Sequence, residues 1–267
     1  MLDFSKEELM RYSRNILLKE VGAEGQERLR LGRVLIVGTG GLGSPVSLYL
    51  AAAGVGTIGL IDGDCVDLSN LQRQIVHSTP DVGRMKTDSA KEKLQKLNPN
   101  INVETYPILL SAENALEIIS NYDFIVDGTD NFQAKFLVND SCVIAGKAFS
   151  HGGILRFQGQ TMTHIPGSAC YRCLFPDIPD PDSVPSCATA GVLGAIAGML
   201  GSIQAAEALK YLTGAGELLT DKLLTFDALS MDFRKINIVR DSDCPVCGNH
   251  PSITKPIDYE IKNTCKI

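Results

Sequence analysis

Tryptophan is absent from the 267-residue sequence and aromatic residues make up only 6% of it, which argues against an aromatic binding surface. Positive charge is not in surplus either: 25 Lys and Arg stand against 31 Asp and Glu, for a formal net charge of −6. A general nucleic-acid binder needs a basic face to neutralise phosphates, so no nucleic-acid partner is expected. No apolar run reaches the roughly 20 residues of a membrane span. The nearest, Gly191 to Ile203, continues into Gln204, Glu207 and Lys210 and reads as a buried core helix. The first residues, Met1 to Glu8, are acidic and broken by charge, so they do not form a signal peptide. A soluble, cytoplasmic protein without a membrane partner is the expectation.

What is present is ordinary globular composition, 44% hydrophobic and 21% charged, with 25 glycines that favour close backbone packing and tight turns. Of the eight cysteines, four form two C-x-x-C pairs far apart in the chain, Cys170-Tyr171-Arg172-Cys173 and Cys244-Pro245-Val246-Cys247. In a reducing compartment such paired knuckles read as a tetrahedral Zn(Cys)4 site, because each presents two thiolates from one tight turn. Two redox disulfides or four unrelated buried thiols are the alternative. Four thiolates leave no open coordination position, so this zinc would be structural. Cys65, Cys142, Cys187 and Cys265 are left over.

Along the chain, the capping pattern Ser5-Lys6-Glu7-Glu8 predicts a helix over about residues 5–17, and a second short helix includes Gly25 to Leu29. Short apolar runs then alternate with helical segments. Strands are expected at Arg33–Val37, Thr57–Asp62, Asn102–Tyr106 and Tyr122–Asp127. Helices are expected at Ser44–Ala53, Lys86–Leu97, Ala112–Ser120 and Asn131–Ala145. This alternation predicts an α/β fold, a Rossmann-like doubly wound, mostly parallel sheet. Beyond Ala148 come β-like runs at 149–157 and 160–164, a Pro/Asp-rich loop at 176–185, an apolar helix over about 188–212 and a β-rich extension at 222–239. One continuous domain over 1–250 is expected, with N-terminal helices 1–32, a nucleotide-binding half 33–150 and a zinc-bearing half 151–250. Residues 251–267 read as a loose tail.

Gly38-Thr39-Gly40-Gly41-Leu42-Gly43 lies between a strand and a helix, where glycines let a backbone approach phosphate and the helix start offers free N–H groups. Asp62 ends the next strand, where a carboxylate can accept bonds from ribose hydroxyls. These features alone fit an NAD-dependent oxidoreductase equally well. Arg73, Lys86 and Asp130 follow at or near expected strand ends, which gather on the ligand edge of a doubly wound sheet. Two cations and a carboxylate beside a phosphate-cradling turn suit a metal-bound triphosphate better than a nicotinamide. Taken singly, Arg73 and Lys86 could be solvated surface charges, and Asp130 the N-cap of a helix starting at Asn131.

Together with Arg11-Tyr12-Ser13-Arg14-Asn15, Asp62-Gly63-Asp64, Ser69-Asn70-Leu71-Gln72-Arg73-Gln74, Lys86, Asp127-Gly128-Thr129-Asp130-Asn131 and both cysteine pairs in order, the glycine motif resembles the MoeB/ThiF/HesA family over about residues 5–250. These are bacterial relatives of the ubiquitin-activating enzymes. The resemblance implies an adenylyltransferase that uses ATP and Mg2+ to activate the C-terminal glycine of a small ubiquitin-like sulfur carrier ending in Gly-Gly. It implies a homodimer and a separate sulfur donor, a cysteine desulfurase or rhodanese-like protein. By position, Gly41 would contact phosphate and Asp62 the ribose. Ser69, Asn70, Leu71, Gln72, Arg73 and Lys86 would surround the phosphates, and Asp130, beside Asn131, would ligate Mg2+. Arg14 resembles an arginine that reaches the partner subunit's triphosphate. The motif often ends in Gln where this chain has Asn15, which leaves Arg14 unaffected.

The implied reaction is attack of the carrier carboxylate on the α-phosphorus with loss of pyrophosphate. A carboxylate is ionised at neutral pH and needs no general base, in keeping with only four histidines, none within these motifs. Cys187, after the Pro/Asp loop and before a helix, would in the family accept the activated glycine or join a persulfide relay. A small buried residue opening a core helix is the alternative. A nucleotide-binding scaffold without turnover is the non-enzyme alternative. Whether the pathway is molybdopterin or thiamine synthesis is not encoded in these motifs.

Overall fold

A computed structural model describes residues 4–179 and 190–259. Cys187, Cys265 and the end of the Pro/Asp loop lie outside the described residues. The expected parallel core is present: β1 (Arg33–Val37), β2 (Thr57–Ile61), β3 (Asn102–Tyr106), β4 (Phe124–Asp127) and β5 (Ala148–Leu155) pair in the order 3-2-1-4-5. The β-rich extension, β6 (Gln158–His164), β7 (Lys222–Asp227) and β8 (Asp232–Asn237), continues the same sheet antiparallel.

β1 shows why the apolar runs are continuous. Val34 and Ile36 enter one core with Val46 and Leu50 of α4 (Gly43–Ala53) and Leu94 of α5 (Lys86–Leu97). Leu35 and Val37 enter the other, with Ile118 and Ile119 of α6 (Ala115–Ser120) and Phe136 and Leu137 of α7 (Phe132–Ile144). A strand covered on both faces has no polar side. The apolar helix is α9 (Gly194–Thr213), and it is a core helix: a Cβ on Gly201 would lie 2.5 Å from Pro45 Cγ and 2.7 Å from Leu42 O. Gly201 is therefore used within the chain, against α4, while Gly198 has open space beside it. No helix among the described residues is long and apolar enough to cross a membrane.

Several boundaries shift by a few residues, and three departures from expectation have a clear local reason. The N-terminal helix is split into α1 (Lys6–Arg11) and α2 (Ser13–Ile16), followed by α3 (Gly22–Leu31). At the split, buried Tyr12 packs on Gly54 and its hydroxyl accepts a bond from Asn98 Nδ2 at 2.8 Å. The α9 helix begins only after Gly191, whose φ of 76° breaks the pattern, and Val192, which bridges to Arg156. Residues 251–259 are docked rather than loose. Asp258 Oδ1 accepts the Ala112 N–H at 2.7 Å, and the Tyr259 hydroxyl donates to buried Asp140 at 2.6 Å beside Arg172 of α8 (Tyr171–Leu174).

Candidate functional site

The strand order reverses between β1 and β4, and in open α/β sheets ligands bind at that switch point. Here the glycine turn is tightest. Gly38 has φ 89°, a Cβ on it would lie 2.9 Å from Gly128 O, and one on Gly43 would lie 2.0 Å from Gly38 O. A side chain at Gly38 would part the turn from the end of β4, and one at Gly43 would open the turn itself. Asp62 fixes the turn from β2: its Oδ2 accepts the Thr39 N–H at 2.8 Å and hydroxyl at 3.0 Å, and its Oδ1 accepts the Asp64 N–H at 2.9 Å.

Above the turn opens a cavity of about 1180 Å³ lined by Gly41, Asp62, Arg73, Lys86, Asp130 and Asn131, among others. Lys86 starts α5 and is buried, 2.7 Å from Asp64 Oδ2 and 3.9 Å from Asp62 Oδ1, so it is no solvated surface charge. Arg73 lies over Gly41, its Cγ 3.5 Å from where a Cβ would be, and its Nη1 donates to Ser69 O at 3.1 Å. The helix cap is Asn131, whose Oδ1 accepts the Ala134 N–H at 2.8 Å. Asp130 is thereby freed from capping, and its exposed carboxylate faces the cavity with no side-chain partner among the described residues.

Ser69, Asn70, Leu71 and Gln72 do not line the cavity. They form the turn that holds Arg73: Asp67 and Asn70 cap each other, and a Cβ on Gly194 would lie 2.1 Å from Gln72 O, so α9 starts directly against it. Arg14 is exposed on α2, also outside the cavity lining. Two residues unmarked in the sequence do line it, Lys135 and His151, both buried against Asp127. Burial pushes the Asp127 carboxyl up, but Lys135, His151 and Thr129 outweigh that and hold it well below the usual range. Only the register Asp127↔His151 brings that pair together, and no spacing rule reveals it.

From the switch point the cavity runs across the extension. Two cross-strand rows line it, Gly153–Gln160–Thr225–Arg234 and Leu155–Gln158–Asp227–Asp232. At about 4.8 Å between strands, β5 to β8 spans roughly 14 Å, the length of about four extended residues.

The four knuckle sulfurs lie within 4.8 Å of one another, with Cys170 Sγ 3.6 Å from Cys244 Sγ and Cys173 Sγ 3.4 Å from Cys247 Sγ. A Zn–S bond of about 2.3 Å sets tetrahedral edges of roughly 3.8 Å, so donor set and spacing fit the ion. The four thiols share hydrogen bonds that lower Cys244 and Cys247, Cys247 to about 7, and raise Cys170 and Cys173 in turn. None of the four lines the cavity.

Burial lowers the pKa of His77, His151 and His164. Unfolding returns each to about 6.5, so below that pH the unfolded chain takes up protons that the folded chain refuses. Stability is expected to hold above pH 6.5 and to fall as pH drops below it, with a slope of at most about 1.4 kcal/mol per pH unit for each histidine that stays neutral. Denaturant midpoints measured from pH 8 to 5 check this; a rise on acidification would contradict it.

Sheet, switch-point cavity and glycine turn define a nucleotide-binding α/β enzyme. Residues 12–246 match the ThiF family, and the chain belongs to it. It is 49% identical over 263 residues to a sulfur carrier protein adenylyltransferase of Thermus thermophilus, covering 96% of this chain and 97% of the relative. It is 47% identical to the SAMP-activating enzyme E1 of Haloferax volcanii, covering 92% of each. The probable adenylyltransferase/sulfurtransferase MoeZ of Mycobacterium tuberculosis is also 47% identical, but the chain spans only 65% of its length. Among solved structures, E. coli MccB with ATP is 27% identical with a TM-score of 0.76, over 89% of this chain and 73% of MccB. The enzyme class is adenylyltransferase.

Proposed function

We propose that the protein adenylates the C-terminal glycine carboxylate of a small ubiquitin-like sulfur carrier with Mg-ATP, releasing pyrophosphate, for sulfur transfer in molybdopterin or thiamine synthesis. The observation that carries this reading is the shape of the cavity. One end is a glycine turn flanked by Arg73, Lys86 and Asp130; the other is a polar platform across four strands. Ligand pockets commonly enclose roughly 300–1,000 Å³, so about 1180 Å³ suits a nucleotide plus an extended chain end.

The carrier's terminal residues would lie along the platform, where Gly153 leaves room beside the switch point. Gly41 and Arg73 would approach the phosphates, and buried Lys86, held by Asp64, would present fixed positive charge without reorganisation. The free carboxylate of Asp130 suits Mg2+, which takes one or two carboxylates alongside substrate phosphates and neutralises charge on them. Alignment of an already ionised carboxylate then does most of the catalysis. The reading includes a cytoplasmic homodimer, in which Arg14 serves the neighbouring site, and a separate sulfur donor.

The test is ATP–pyrophosphate exchange with and without small proteins of the host that end in Gly-Gly. Exchange should appear only with the cognate carrier, with no change in nicotinamide absorbance. Exchange missing with every such carrier, or nicotinamide turnover in its place, would overturn the reading.

A further inference from the structure

Asp130 has no side-chain partner among the described residues, so its direction depends on the turn from Asp127 to Asn131. One side chain ties that turn to the neighbouring strand. Lys135 Nζ donates to Asp127 Oδ2 at 3.2 Å, to the Thr129 carbonyl at 2.7 Å and to the Gly152 carbonyl at 2.5 Å. An ammonium has three protons, and all three are used. Two of the acceptors belong to the turn and the third lies on β5, the strand paired with β4. The backbone adds to the hold, because the Lys135 N–H donates to Asn131 O at 3.2 Å in the first turn of α7. From the far side, Gln204 Nε2 donates to Asp127 O at 2.9 Å and to Ser150 O at 3.2 Å.

A buried ion pair contributes little net stability in general, because desolvation offsets the attraction. Lys135 and Asp127 are both buried, and an apolar pair would fill the same space at less cost. The geometry of three acceptors on two elements is what a hydrophobic pair could not supply. We infer that Lys135 is a positioning residue: it locks the turn carrying Asp130 to β5 and so sets how tightly the site holds a metal-bound nucleotide. This rests on the proposed role of Asp130 towards Mg2+.

The experiment measures ATP affinity of the full chain by calorimetry, once with Mg2+ and once with chelator. It compares wild type, Asp130→Ala, Lys135→Met and the double variant. Wild type should bind more tightly with Mg2+, and Asp130→Ala should abolish that difference. Lys135→Met should lose roughly tenfold with Mg2+ and nothing in chelator, and should lose nothing further once Asp130 is Ala, as coupled residues do. Lys135→Arg keeps the cation beside Asp127 but not the three-acceptor geometry; should Lys135→Met not fold, it is read the same way with a loss of about threefold.

If wild type shows no Mg2+ preference, or Asp130→Ala retains it, the metal role of Asp130 falls. If that role stands but the Lys135 variant weakens binding equally with and without Mg2+, Lys135 merely stabilises the fold and only this inference is overturned. An equal loss in the Asp130→Ala background has the same meaning.

Discussion

Neither Arg14→Ala nor Asp130→Ala is expected to keep more than about 1% of wild-type pyrophosphate exchange, yet dimers mixed from the two should recover about a quarter of it. Arg14 is exposed on α2, outside the cavity and without an ion pair among the described residues. Around it, Met10, Leu17 and Leu18 are 78%, 70% and 54% exposed, apolar surface that suits a subunit contact rather than water. Within the cavity Arg73 and Lys86 are the cations beside the glycine turn, and Lys86 shares its charge with Asp64 and Asp62, so a triphosphate leaves negative charge for a further cation to meet. A cation arriving from the neighbouring subunit would supply charge where pyrophosphate leaves. In a mixed dimer the Arg14→Ala chain keeps its own Asp130 and receives Arg14 from its partner, while the other site carries both lesions. Statistical mixing gives about half mixed dimers with one working site in two. Tagged co-expression followed by exchange assays measures this. Activity no higher than that of the two variants measured separately would show that Arg14 serves its own chain or none.

The second large effect is on stability. Cys173→Ser, or removal of the metal with a strong chelator, is expected to lower the melting temperature by about 10 °C or more. A structural zinc site contributes its binding free energy to folding, and each kcal/mol shifts a chain of this size by roughly 2–4 °C. The cluster ties Cys170 and Cys173, at α8, to the turn after β8, across a satellite core of Val246, Val143, Ile144 and Ile253. Losing it frees both segments at once. Nucleotide affinity of the protein that remains folded should change far less, because no knuckle sulfur lines the cavity. Metal analysis should find one zinc per chain. No zinc, together with four freely titrating thiols in the native protein, would remove the site.

The local signals were legible in the residues. Continuous apolar runs, such as Val34 to Val37, marked strands buried on both faces, and glycines at 38 and 43 marked a turn where no side chain fits. Paired C-x-x-C knuckles announced a four-sulfur cluster before its sulfurs were seen within 4.8 Å. All of these depend on a few adjacent residues, whose periodicity and turn chemistry are written consecutively. Strand neighbours are not. Only the fold sets β4 beside β1, brings Gly128 O against Gly38, and makes the register Asp127↔His151 that Lys135 closes. Only the fold moves the cap from Asp130 to Asn131, leaving a free carboxylate, and keeps Arg14 away from its own cavity. It also docks Tyr259, from an expected tail, on Asp140. Residues far apart in the chain meet through packing of both sheet faces, and no window of sequence contains that information.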